Sequence, residues 1–123
     1  MSIVLGPLDT RSRFEIALPP ATLTESLVGA GVELGDCDGP AFALIQVGEM
    51  VEGTELTVDF QESDSGAVWS DIAGSAATDF APSTAVRHAF ARTRRRLRCR
   101  ATVAGEGASV ALAVLVGQSC KVF

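Results

Sequence analysis

Thr54-Glu55-Leu56-Thr57-Val58-Asp59-Phe60-Gln61 is the stretch on which the fold turns. Leu56, Val58 and Phe60 recur at every second position, with Glu55, Thr57, Asp59 and Gln61 between them. Successive side chains of a strand point to opposite faces, so this spacing predicts a strand with an apolar inner face and an acidic outer one. Glu62-Ser-Asp-Ser-Gly66 has the composition of a turn. Ala67–Ile72 then returns as a shorter strand, and the pair reads as a hairpin.

Outward from that hairpin the period of two repeats, and helical periodicity hardly appears. Ala41–Val47, bounded by Gly39-Pro40 and Gly48, is a mostly apolar run that predicts a central strand covered on both faces, with a loop over 48–53. Val86–Phe90 predicts a short strand and Arg94–Val103 a long one, with Leu97, Cys99, Ala101 and Val103 inward and Arg96, Arg98, Arg100 and Thr102 outward. Gly105-Glu-Gly107 is a hairpin turn, and the continuous hydrophobicity of Ala108–Val116 implies a returning strand covered on both sides. Residues 73–84 read as a loop and 120–123 as a tail. Near the N-terminus, Phe14, Ile16 and Leu18 alternate with Arg13, Glu15 and Ala17, and Pro19-Pro20 ends that strand because proline cannot donate to a ladder. Residues 21–39 are irregular. Thr22–Glu25 could open a helical turn as a capping box, Gly29, Gly31 and Gly35 forbid a long helix, and an extended arm is the equal alternative. Seven or eight short strands at about ten-residue spacing give an all-β chain, a two-sheet antiparallel sandwich of jelly-roll-like type. One domain over 1–123 is expected, with 1–38 partly an extended arm or loop.

The 123 residues suffice for one core. The longest apolar run falls well short of the roughly 20 residues that span a bilayer, so no membrane partner is expected. No basic segment leads an apolar one at the N-terminus, which predicts retention in the cytoplasm. Cys37, Cys99 and Cys120 are odd in number and widely spaced, so reduced thiols are expected rather than a disulfide framework or a zinc site with His88.

Charge is sorted along the chain. Seven arginines and no carboxylate lie between Arg87 and Arg100, whereas residues 1–86 hold fourteen carboxylates against Arg11 and Arg13. Self-repulsion disfavours such sorting unless the opposite signs meet. Three uses of the basic strand follow. Arg92, Arg94, Arg96, Arg98 and Arg100 could contact another subunit or a capsid through the planar guanidinium fork. They could instead pair with Glu55 and Asp59 on a neighbouring strand of the same molecule. They could bind nucleic acid, which is disfavoured because Lys121 is the sole lysine and Phe90 the only nearby ring. The first two are compatible.

Catalytic signals are weak. His88 has no carboxylate close in sequence and no GxSxG is present, so no catalytic residue is assigned and no enzyme is expected. Asp36 with Asp38, and Glu62 with Asp64, lack the spacing of a calcium loop and read as solvated turns, so no metal or cofactor is expected. Gly29-Ala-Gly31-Val-Glu-Leu-Gly35 lacks the strand, spacing and helix of a nucleotide loop. Trp69 reads as a plug in the core or at an interface.

Asp38-Gly39-Pro-Ala-Phe42-Ala-Leu-Ile-Gln-Val47-Gly48, then Leu56-Thr-Val-Asp-Phe-Gln61-Glu62-Ser63-Asp64-Ser-Gly66-Ala-Val-Trp69, together with Arg95 to Gly105, resembles a family of small tailed-phage structural proteins. The resemblance spans roughly residues 36–117, and the chain departs from the family pattern in its extra arginines and in Cys99. It implies a virion component, a capsid decoration or cement protein that binds the major capsid protein or another virion protein as a homo-oligomer and is assembled in the host cytoplasm. A neck or tail position is the near alternative. A glycan-binding head appendage or a nucleic-acid binder is the competing class, and with no tyrosine and one tryptophan the chain has few platforms for sugars.

Overall fold

The computed structural model describes residues 10–34 and 41–121, and among these there is no helix. Nine strands follow one another: β1 (Thr10–Leu23), β2 (Leu27–Val28), β3 (Val32–Glu33), β4 (Ala41–Met50), β5 (Glu55–Ser63), β6 (Ser70–Asp71), β7 (Thr84–Phe90), β8 (Arg96–Ala104) and β9 (Val110–Lys121). One sheet has the order β1-β9-β4-β7, the other β2-β8-β5-β6 with β3 also on β8. All pairings are antiparallel. Leu27 faces Ala101 and Val32 faces Leu97, so β2 and β3 are two pieces of one interrupted strand along β8. With those pieces counted together, the pairing is nested: first with last, second with second-last, inward to the β5–β6 hairpin. That is a long hairpin rolled over on itself, the jelly-roll form of the sandwich.

The core lies between the sheets. Val58 and Phe60 of β5, Leu97, Cys99 and Ala101 of β8, Ala43 and Ile45 of β4, and Val110, Val114 and Val116 of β9 are fully buried. Phe60 stacks on Phe90 at 4.7 Å between centroids, which ties the two sheets together. The alternation in β5 and β8 is the one expected from sequence, and the turn at 105–107 is formed with positive φ at both glycines.

Several expectations are corrected. Pro19-Pro20 do not end β1, which continues to Leu23. The strand tolerates them because it lies at the edge of its sheet and shifts register between Ile16 and Leu18 and again between Leu18 and Ala21. The first shift also reverses the face: Phe14 and Ile16 point outward, at 59% and 58% exposure, while Ala17 and Leu18 are buried. No helical turn forms at Thr22–Glu25, because Leu23 is still in the strand and buried in the core. The central strands β4 and β9 are covered on one face only, with Phe42, Leu44 and Leu115 half-buried on the other. The returning strand after the 62–66 turn shrinks to Ser70–Asp71, and the arginine strand starts at Arg96. Within the 73–84 loop, Ser75 accepts from the Phe60 amide (3.1 Å) and Ala77 exchanges backbone bonds with Val58, so the loop caps the β5 edge. Of the 1–38 segment expected as partly an extended arm or loop, residues 1–9 and 35–38 lie outside the described residues, and with them Cys37 and the Asp36/Asp38 pair.

Truncating Phe60 to Ala removes a fully buried ring and is expected to cost about 3–5 kcal/mol, seen as a lower denaturation midpoint in urea. Cys99 gives a pH prediction. Burial, and second the charge of Asp59, push its thiol from an ordinary 9.0 up to about 12. The unfolded chain therefore loses this proton first as pH rises, so the contribution is intact below pH 9.0 and declines towards 12. Iodoacetamide at pH about 8 should leave Cys99 unlabelled in the native protein and label it in urea, as read by peptide mass mapping.

Candidate interaction surface

The β5–β8 register governs where the charges go. It sets Asp59 opposite Arg100, Gln61 opposite Arg98 and Ser63 opposite Arg96, all on the outer face of their sheet. Arg100 forms a two-pronged bond to Asp59, Nε to Oδ1 at 2.9 Å and Nη2 to Oδ2 at 2.5 Å, and Nη2 also lies 3.4 Å from Asp71. The bond to Asp59 is the main cause that raises the Arg100 pKa above its usual value. Arg98 donates to Gln61 Oε1 (2.8 Å), and Gln61 donates to Asp71 (2.8 Å), so the two arginines are joined through one amide and one carboxylate.

Closer to the β7–β8 loop the pattern continues. Arg95 pairs with Glu33 at 2.6 Å, Arg96 donates to the Asp64 carbonyl at 2.6 Å, and Arg94 lies 3.9 Å from the Asp64 carboxylate. Arg92 donates to Gln118 Oε1 and to the Arg94 carbonyl, both at 2.6 Å. Glu62 follows Leu56, Val58 and Phe60 on the inward side of β5, opposite Leu97, and is a buried carboxylate. Its carboxylate accepts from the Thr93 amide (3.0 Å) and hydroxyl (2.7 Å), which pins the loop leading into β8. Charges sorted along the sequence are thus interleaved in space. Of the predicted contact residues, the structure brings Arg94, Arg96, Arg98, Arg100 and Asp59 to this face, whereas Arg92 turns to the buried Gln118 of β9 in the other sheet. Glu55 sits apart at the far end of β5, opposite Ala104.

The 64–69 loop straps this face. Trp69 lies over the Arg98 guanidinium at 4.5 Å and reaches Gly31 on the opposite edge, where an added Cβ would come within 2.9 Å of the indole. Trp69 is therefore outside the core. Its place follows from Gly31, which offers backbone without a side chain, and from cation–π attraction. His88 contacts the Gly74 carbonyl at 3.2 Å, and among the described residues it has no ion pair with a carboxylate. Glu62 and Asp64 diverge, the first inward to Thr93 and the second to solvent beside Arg94.

A second surface was missed from sequence. On the outer face of β1-β9-β4-β7, two rows run across the strands: Phe14, Gly117, Phe42, Ala89, and Ile16, Leu115, Leu44, Arg87. Phe14 meets Phe42 edge-on at 5.6 Å, and the Arg87 guanidinium lies 4.6 Å over the Phe42 ring. Gly117 is required beneath that ring, since a Cβ there would collide with it. These rows hold no carboxylate. The available signal was the double step Phe14-Glu-Ile16-Ala17-Leu18, in which apolar residues change parity.

A double-layered, antiparallel jelly roll with one charged outer face and one apolar outer face is the class that this architecture defines. No protein-family model and no curated protein sequence matches the chain. Solved structures do. A chain of the T13 infectious bursal disease virus particle aligns with a TM-score of 0.63 and 10% identity over 98% of this chain and 35% of its own length. The D431N mutant VP2 protein of the same virus, from derived T=1 particles, aligns at 0.61 with 9% identity, covering 98% and 36%. The PBSX exported protein XepA aligns at 0.59 with 22% identity, covering 89% and 37%. The chain spans just over a third of the length of these proteins, and the likeness is one of fold.

The Asp59–Arg100 pair is partly buried, with side-chain exposures of 19% and 34%. Replacing Asp59 with Ala is expected to cost about 1–3 kcal/mol, because Arg100 keeps its charge and loses its two-pronged acceptor, with only the more exposed Asp71 left beside it. A double-mutant cycle with Arg100→Ala in chemical denaturation should return a coupling of about 0.5–2 kcal/mol.

Proposed function

We propose that the protein is a structural, non-enzymatic component of a virion, a decoration or cement protein seated on the head lattice against the major capsid protein. The observation that carries this reading is the two-sheet antiparallel fold, which aligns over 98% of this chain with a protein of the infectious bursal disease virus particle and over 89% with the PBSX exported protein XepA. The residues from Asp38 to Gly105 that resemble small tailed-phage structural proteins support it independently. A cement protein needs rigid surfaces and complementary charge rather than a reactive cleft. Here the strap and the β5–β8 network supply rigidity.

The basic end of the second sheet is the part assigned to the lattice. Arg94 and Arg95 keep 40% and 52% of their side chains exposed, and an exposed ion pair such as Arg95–Glu33 contributes little to stability, so both can turn to an acidic capsid surface at small cost. Arg92, Arg96, Arg98 and Arg100 contribute by fixing the loop and strand beneath them. Because their guanidinium groups already hold partners within the chain, a nucleic-acid role is disfavoured.

Cryo-EM and quantitative mass spectrometry of purified particles from the source should find the protein in a fixed ratio to the major capsid protein, as density outside the head shell. Reversal of Arg94 and Arg95 to Glu should lower that occupancy at least roughly tenfold with the thermal midpoint little changed. Purified particles that lack the protein while it accumulates free would overturn the reading, and density at the neck or tail would move it there.

A further inference from the structure

We infer that the outer face of the β1-β9-β4-β7 sheet is a two-fold, self-complementary docking surface for a second copy of this chain. At one end of the face stand the exposed side chains of Phe14 and Ile16 beside Leu44 and Leu115, with Arg87 at the β7 margin. At the other end is a shallow depression lined by Thr22, Met50, Val51, Pro82 and Ala111, with Glu49 on its rim. The register shift between Val47 and Met50 turns Glu49 to this side.

The two ends complement each other in shape and in charge. Among the described residues, Arg87 has the Phe42 ring as its contact and no carboxylate, and Glu49 is exposed with no cation beside it. Arg87 lies opposite Leu44, five residues before Glu49 along β4, a separation of about 17 Å at roughly 3.4 Å per residue. That is too far for the two to pair within one molecule. A two-fold axis lying in the face and crossing the strands midway carries each Arg87 over the partner's Glu49. The lateral offset is one strand spacing, about 4.8 Å, which the two long side chains span. The same operation sets Phe14 and Ile16 above the partner's depression. Both contacts then occur twice, as an isologous interface demands.

Stacking with the axis along the strands is disfavoured, because it would bury each Arg87 over Ile16 of the other copy with no acid opposite. Four strands about 4.8 Å apart and roughly 30 Å long cover about 600 Å² per copy, or about 1,200 Å² in all, the lower bound for a specific interface. A dimer in the micromolar range is therefore expected. This inference concerns how copies join and rests on the virion reading only for its use.

Sedimentation velocity of the full chain between about 1 and 500 µM should show monomer and dimer in exchange. Arg87→Glu and Glu49→Arg should each weaken dimerisation roughly tenfold or more, and the double variant R87E/E49R should regain most of the loss. Phe14→Ser, at an exposed position, should dissociate the dimer while the circular dichroism spectrum is unchanged. A wild-type chain that stays monomeric throughout, or a double reversal without rescue, overturns the inference. If the chain is monomeric yet present on particles, this surface alone is wrong. If it dimerises yet is absent from particles, the virion reading falls and the interface stands.

Discussion

Antiparallel pairing of β5 with β8 is the constraint on which the rest of the molecule depends. One register puts Val58 and Phe60 beside Ala101 and Cys99 in the core and, in the same stroke, Asp59 and Gln61 beside Arg100 and Arg98 outside. A slip of one residue would invert both outcomes, burying arginines and exposing leucine and phenylalanine. The apolar and ionic interactions therefore specify the same alignment. The ion pairs add modestly to stability at the surface, and their larger contribution is to make every alternative register costly.

That coupling explains why parts of the structure were legible and others were not. The strict alternation of Leu56, Val58 and Phe60, and of Leu97, Cys99 and Ala101, announced both strands and their faces, and Gly105-Glu-Gly107 announced the turn between β8 and β9. The face of Phe14 and Ile16 was hidden because a bulge changes parity without leaving a composition signal until Pro19. The continuous hydrophobicity of β4 and β9 was misleading for a different reason. Phe42, Leu44 and Leu115 are apolar on the side away from the core, where the expectation of cover on both faces found half-exposed side chains instead. An apolar run speaks to what a residue avoids, and does not say whether the covering surface belongs to the same polypeptide.

The arginine strand teaches the converse. Read along the chain, seven cations without an acid suggest a surface held ready for something else, yet Asp59, Asp71, Glu33 and Asp64 arrive from strands and turns far away in sequence. Asp59 could be anticipated, since it stands on the outer face of an adjacent strand. Glu33 and Asp71 could not, because each enters through a two-residue strand with no periodic signature. The 64–69 strap was equally opaque, for its anchor is the bare backbone of Gly31.

Nesting of the strands has an outcome for biosynthesis. β9 inserts between β1 and β4 and is made after the other described strands, so the first sheet cannot close until β9 has emerged from the ribosome. Until then β1 and β4 carry open hydrogen-bonding edges and the greasy flank of Phe60 and Phe90 lacks its lid. Folding therefore waits on contacts distant in sequence, and the open edges and apolar faces are prone to aggregate until those contacts form.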